Sequence, residues 1–155
     1  MERLPRSRGC FVCGRKEENP RSLELEILWD RDERRTVINI EPDGTWCGYE
    51  GVVHGGIIAS VFDDAMAWAV RQEIGNWAVT GEMSVRYLRP VTADRRYRVE
   101  GRTERISGRR IATTASMTDD HGRKVAEGRA LFIRMPSKKG RTGETPSAGD
   151  EDATT

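Results

Sequence analysis

The stretch "YEGVVHGGIIASVFDDAMAWAV", Tyr49 to Val70, decides how the rest of the chain is read. At about 100° per residue, Ile58, Val61, Phe62, Ala65 and Ala69 fall on one stripe, while Ala59, Met66, Ala67 and Val70 extend apolar surface most of the way round. A helix apolar on nearly every side is a buried helix, yet two adjacent carboxylates, Asp63 and Asp64, sit in its middle. Burying an unpaired carboxylate costs on the order of several kcal/mol, and chemistry is the commonest reason to tolerate it. The two acids lie on opposite flanks of the stripe, so they face different surroundings and only one needs to belong to a reactive site. The competing explanation is that each caps a loop or pairs with an arginine. Gly55 and Gly56 stand where the helix begins, where the first N–H groups lack intrahelical partners and the positive end of the dipole points outward. Glycine lets a ligand approach such a backbone closely, which makes an anion or oxyanion site; taken alone, "HGG" is equally a tight turn into a helix.

Outward from the helix the period changes to two. Leu23, Leu25, Ile27 and Trp29 alternate as in a half-buried strand, and Thr36 to Ile40 forms a second run ending at the turn-former "EPDG". Four more strand-like stretches follow the helix: Ala78 to Leu88, Tyr97 to Glu104, Ile111 to Met117 and Val125 to Met135. Connections this short favour antiparallel neighbours, since a parallel crossover needs about a dozen residues. The expected fold is α+β, an antiparallel sheet of about six strands with one long helix against its apolar face.

At 155 residues the chain has the size of one domain able to bury a core without disulfides or metal. Residues 1–20 are irregular in composition, the folded body is expected over 21–135, and 136–155, rich in Gly, Ser, Thr and charge, is expected to be a disordered tail. The formal charge of +1 gives no overall attraction to nucleic acid or an anionic membrane. The start, "MERLPRSRGC", lacks the apolar run of a signal peptide, and Ala65 to Val70 is far too short to span a membrane, so a cytoplasmic protein is expected. An odd set of three cysteines then argues for reduced thiols.

With these residues in hand, "GVVHGGIIASVFDDAMAWA" resembles the hotdog-fold acyl-CoA thioesterases, in particular the phenylacetic-acid-pathway-like branch. That family's pattern is His-Gly-Gly with an acid nine positions after the His, and nine after His54 is Asp63. "TGEMSVRYLRPV", Thr80 to Val91, resembles the family's next strand, and "CFVCGRKEENPRSLELEI" the opening many members carry. The resemblance implies a thioester hydrolase, its sheet wrapped round the helix and its site at a dimer interface, as a homodimer or dimer of dimers. The Gly55 N–H would be the oxyanion donor, and Asp63 the general base or the nucleophile. Thr80 would be a secondary catalytic group, placed where relatives bring a hydroxyl from the opposite subunit. His54 shapes the turn and, with Gly56, belongs to the substrate-binding end. The substrate is an acyl-CoA, with no metal or redox cofactor. One departure is Gly48, where several relatives carry an amide seven residues before the oxyanion glycine. A non-catalytic acyl-CoA binder or sensor is the alternative, and an enoyl-CoA hydratase a more distant one.

Between Arg86 and Arg110 there are nine arginines against three acids. The guanidinium fork binds phosphate at two points, and coenzyme A carries three phosphates' worth of such targets in its diphosphate and 3′-phosphate, so Arg89 or the Arg102 to Arg110 hairpin is a candidate for holding it. Exposed strands carrying charge explain the cluster equally well. Cys10 and Cys13 form one C-x-x-C, two ligands where tetrahedral zinc needs four, so packing as small hydrophobes is expected. His121 in "DDHG" is read as a turn residue.

Overall fold

Helix α1 spans Gly55–Ile74, entered through the His54 cap and ended by Gly75, whose left-handed φ of 66° lets its N–H reach the Arg71 carbonyl. Ile58, Val61, Phe62, Ala65, Met66, Trp68, Ala69 and Val70 are its buried residues, the nearly all-round apolar surface expected from the stripe. Burying one Phe62-sized side chain stabilises by about 1.5–3 kcal/mol, so this helix is held by packing rather than by helix propensity. The computed structural model describes residues 1–136; the tail expected at 136–155 lies, beyond Pro136, outside the described residues.

The sheet has seven antiparallel strands: β1 (Glu2–Arg3), β2 (Leu28–Asp30), β3 (Arg35–Ile40), β4 (Ala78–Tyr87), β5 (Tyr97–Ser107), β6 (Arg110–Asp119) and β7 (Lys124–Arg134). Their spatial order is β1-β2-β3-β5-β6-β7-β4. The chain therefore does not add strands in sequence. After β3, helix α1 crosses the sheet and delivers β4 to the far edge, while β5 returns to pair with β3. Alternate residues of β6 are buried, among them Ile111, Thr113, Ala115 and Met117, and these form the floor on which the helix lies.

The helix approaches β5 closely. A Cβ added at Gly101 would stand 2.6 Å from the Ala65 backbone, so only glycine leaves room there. Beside it the buried Thr36 hydroxyl donates to the Ala65 carbonyl at 2.7 Å, fixing β3 to the middle of α1.

The N-terminal third departs from the expected pattern. Of the run Leu23 to Trp29, only its end joins the sheet, because Glu24 takes a left-handed φ of 57° that breaks the extended backbone. Leu23 and Leu25 instead donate their N–H groups to the carbonyls of Phe11 and Val12. The segment 1–20 is irregular in backbone, yet Leu4, Val12 and Cys13 are buried in the same core as the helix. Among the described residues no helix is long and apolar enough to cross a membrane.

Candidate active site

The N-terminus of α1 opens on a groove of about 780 Å³ lined by Gly48, Tyr49, His54, Gly55, Tyr87 and Arg89 among others. His54 is the helix cap: its Nδ1 accepts the Gly56 N–H at 2.9 Å, and its carbonyl accepts from Ile57 at 3.0 Å. That lone pair is occupied, so the imidazole orients the turn, and the Gly56 N–H is not left for a ligand. Among the described residues nothing accepts the Gly55 N–H, which is the free donor at the positive end of the helix. The Tyr87 hydroxyl donates to the Gly55 carbonyl at 2.6 Å and closes the turn from β4. A Cβ on Gly55 would meet that ring at 3.2 Å, so a tyrosine that sequence inspection had not singled out is one reason the position is glycine. No local signal in "SVRYLRP" marks an aromatic that reaches back 32 residues.

Asp63 and Asp64 do face different surroundings. Asp63 is half-buried and accepts the Thr80 hydroxyl at 2.5 Å on Oδ1. A β-bulge makes this contact: Thr80 pairs with Phe132 and Glu82 with Leu131, so Gly81 is the extra residue that re-aims Thr80 toward the helix. Burial pushes the Asp63 carboxyl above the usual carboxylate range, and the Thr80 hydroxyl works against that shift. Asp64 turns to the N-terminal segment, where the Cys10 thiol donates to its Oδ1 at 3.5 Å. Burial, with Cys10 adding to it, pushes the Asp64 carboxyl up to about 8.

The structure brings His54, Gly55 and Arg89 to one groove and Asp63 with Thr80 to another place on the same helix. Eight residues at about 1.5 Å each separate Gly55 from Asp63 by about 12 Å, and the Gly55 N–H points out of the helix end, away from the acid. One chain alone does not converge them on one carbonyl. Thr80, expected where relatives bring a hydroxyl to the site from the opposite subunit, binds Asp63 of its own chain, toward which the bulge turns it. Among the described residues the Arg89 guanidinium takes no hydrogen bond or ion pair, while Arg102 of the hairpin is tied to Glu33. Arg89 is thus the cation at the groove.

A family model described as the thioesterase superfamily matches residues 50–126, which include His54, Gly55, Asp63, Thr80 and Arg89. The acyl-coenzyme A thioesterase THEM4 of Bos taurus is 24% identical over 126 residues, covering 81% of this chain and 52% of its own length. The chain spans between half and two thirds of the length of the curated relatives it matches. The PaaI protein of the E. coli phenylacetic acid degradation operon superposes with a TM-score of 0.68 at 21% identity, over 75% of this chain and 83% of its own. A hypothetical thioesterase of Streptococcus pneumoniae, solved with coenzyme A, gives 0.66 at 21% identity, over 74% and 88%. What these two structures share with the chain is the hotdog fold, an antiparallel sheet wrapped round one long helix.

Proposed function

From the match of residues 50–126 to the thioesterase superfamily, we propose that this chain is a member that hydrolyses acyl-CoA thioesters as a homodimer, in which the Gly55 N–H of one protomer and Asp63 of its partner act on one carbonyl. The observation that carries the reading is Asp63: a desolvated carboxylate in the middle of a buried helix, held by the Thr80 hydroxyl and, among the described residues, paired with no cation. The two-chain arrangement is supported by the 12 Å spacing of about two helical turns within one chain. It is also supported by β4, an edge strand whose residues Thr80 to Glu82 are exposed and whose outer backbone groups are left for another strand. Exposed Tyr49, Tyr87 and Leu88 add apolar surface at the groove.

In this mechanism the Asp63 carboxylate takes a proton from water as the water oxygen adds to the thioester carbon. The oxyanion accepts the Gly55 N–H, a donor whose loss typically costs about 10²–10³ in rate. Collapse expels the coenzyme A sulfur, which takes the proton from Asp63. Arg89, which lines the groove, would hold a phosphate of the coenzyme, the ligand named for the pneumococcal structure. An Asp and His pair, which hydration of an enoyl-CoA would use, is not formed by Asp63, since its hydrogen-bond partner is Thr80.

The test is free-thiol release across a panel of acyl-CoAs, with single-turnover hydrolysis in ¹⁸O-water. General-base catalysis places solvent oxygen in the acid on the first turnover, whereas attack by Asp63 followed by opening of the anhydride at the Asp63 carbonyl places an enzyme oxygen there. Saturable acyl-CoA binding without any thiol release would make the protein a binder and end the hydrolase reading.

A further inference from the structure

We propose that Cys10, Cys13 and Asp64 form a binding site for one zinc-class divalent cation, which fastens the N-terminal segment to the middle of helix α1. Their donor atoms lie within 4.8 Å of one another, although Asp64 is 54 residues from Cys10 in sequence. The C-x-x-C pair alone supplies two ligands, and the fold adds the third.

Three observations point to an ion rather than to packing. The Asp64 Oδ2 is shut off from solvent and, among the described residues, has no hydrogen-bond partner, which is costly for a carboxylate oxygen unless something fills the position. The Cys10 sulfur accepts the N–H groups of Val12 at 3.3 Å and Cys13 at 3.5 Å, so the turn fixes it beside the Asp64 carboxyl, 3.5 Å from Oδ1. The turn is built for this approach: the Gly14 N–H donates to the Cys10 carbonyl at 2.9 Å, and a Cβ at Gly14 would stand 2.4 Å from that oxygen. The turn is also braced from outside, by the Ser22 hydroxyl on the Gly14 carbonyl at 2.8 Å and by the Arg6 guanidinium on the Cys13 carbonyl at 3.1 Å.

Two thiolates and one carboxylate are a donor set for zinc rather than for magnesium or calcium, which take oxygen ligands. Sulfur ligands at about 2.3 Å around a tetrahedral ion stand about 3.7 Å apart, so the cluster closes by no more than about 1 Å on loading. Binding sends the thiol protons and the Asp64 carboxyl proton to solvent, and a water or another donor completes the fourth position. The site lies on the flank of α1 opposite Asp63, and it is separate from the acyl-transfer groups.

The experiment uses the full chain, purified under reducing conditions, with Zn²⁺ and Co²⁺ as probes. The expected result is one equivalent of Zn²⁺ per chain by elemental analysis, and a thiolate-to-cobalt charge-transfer band on adding Co²⁺. Both are lost in Cys10→Ser and Cys13→Ser, Zn²⁺ affinity falls at least about 10-fold in Asp64→Asn, and both are kept in Cys47→Ser. Removing the metal with a chelator lowers the wild-type Tm by about 5–10 °C and leaves the Cys10→Ser, Cys13→Ser double variant unmoved. If the cysteine variants do not fold, the wild-type cobalt spectrum decides. A reduced wild-type protein that shows no thiolate band at saturating Co²⁺ overturns the proposal, and so does full zinc retention in the folded double variant.

Discussion

The proposed two-chain site makes a prediction that a one-chain site does not. Gly55→Pro deletes the proposed oxyanion donor at a position that accepts proline well. Gly55 is the first helical residue, and His54 already holds φ −60°, ψ 129°, the extended backbone required before proline. The added Cβ meets Tyr87 at 3.2 Å, so that ring shifts by a few tenths of an ångström. Asp63→Asn removes the base and keeps the shape. Each variant alone is expected to lose about 100-fold or more in kcat. The acid stands about 12 Å along the helix from Gly55, and the acceptor of the Gly55 N–H lies about 3 Å beyond the helix end, so in the proposed site the two groups meet in trans. In a one-to-one mixture about half of the dimers are heterodimers, and each of those holds one intact site and one doubly damaged site. About one quarter of wild-type thioesterase activity should then return. The assay is thiol release after co-expression with two affinity tags, with heterodimer content measured by native mass spectrometry. Heterodimers present without rescue would refute the trans arrangement.

Three further outcomes follow from particular contacts. Thr80→Val removes the hydroxyl held by Asp63 and is expected to lower kcat about 10- to 100-fold with KM little changed, the scale of a hydrogen bond to a charged group; an unchanged kcat removes Thr80 from the site. Gly101→Ala forces a Cβ to within 2.6 Å of the Ala65 backbone, and thermal unfolding should report a loss of about 2 kcal/mol or more, since neither backbone yields cheaply; a Tm within 2 °C of wild type, about 0.5 kcal/mol, contradicts the packing described. For Asp119, burial opposes ionisation, but the Arg123 and His121 N–H groups and the Arg123 guanidinium overturn it and hold the carboxyl at about 2, below its ordinary 3.8. Its folded state binds the proton more weakly than its unfolded state, so this contribution to stability is present above the ordinary value and is lost as pH falls from about 4 to about 2. Urea unfolding across that window should show a shallower pH slope in Asp119→Asn, and an equal slope argues against the assignment.

The cap contacts show how far local reading reaches. Helix α1, its start at the "HGG" turn and the opposed flanks of Asp63 and Asp64 were all legible, because apolar periodicity and capping chemistry act over a few residues. The strand beginning at Leu23 was not, since alternation says which way side chains point and carries no sign of the left-handed Glu24 that ends pairing there.

By itself, then, the sequence determined a buried helix with acid in its middle and a glycine amide at its head, together with the strands from Thr36 onward, since each is written in the spacing of near neighbours. Tertiary structure alone decided which distant groups meet. It placed β4 at the sheet edge, turned Thr80 onto Asp63 through an extra Gly81, laid Tyr87 against Gly55 and brought Cys10 to Asp64. Such pairings depend on strand order, on bulges and on how a loop folds over a helix, and these are settled by the packing of the whole core rather than by the residues on either side.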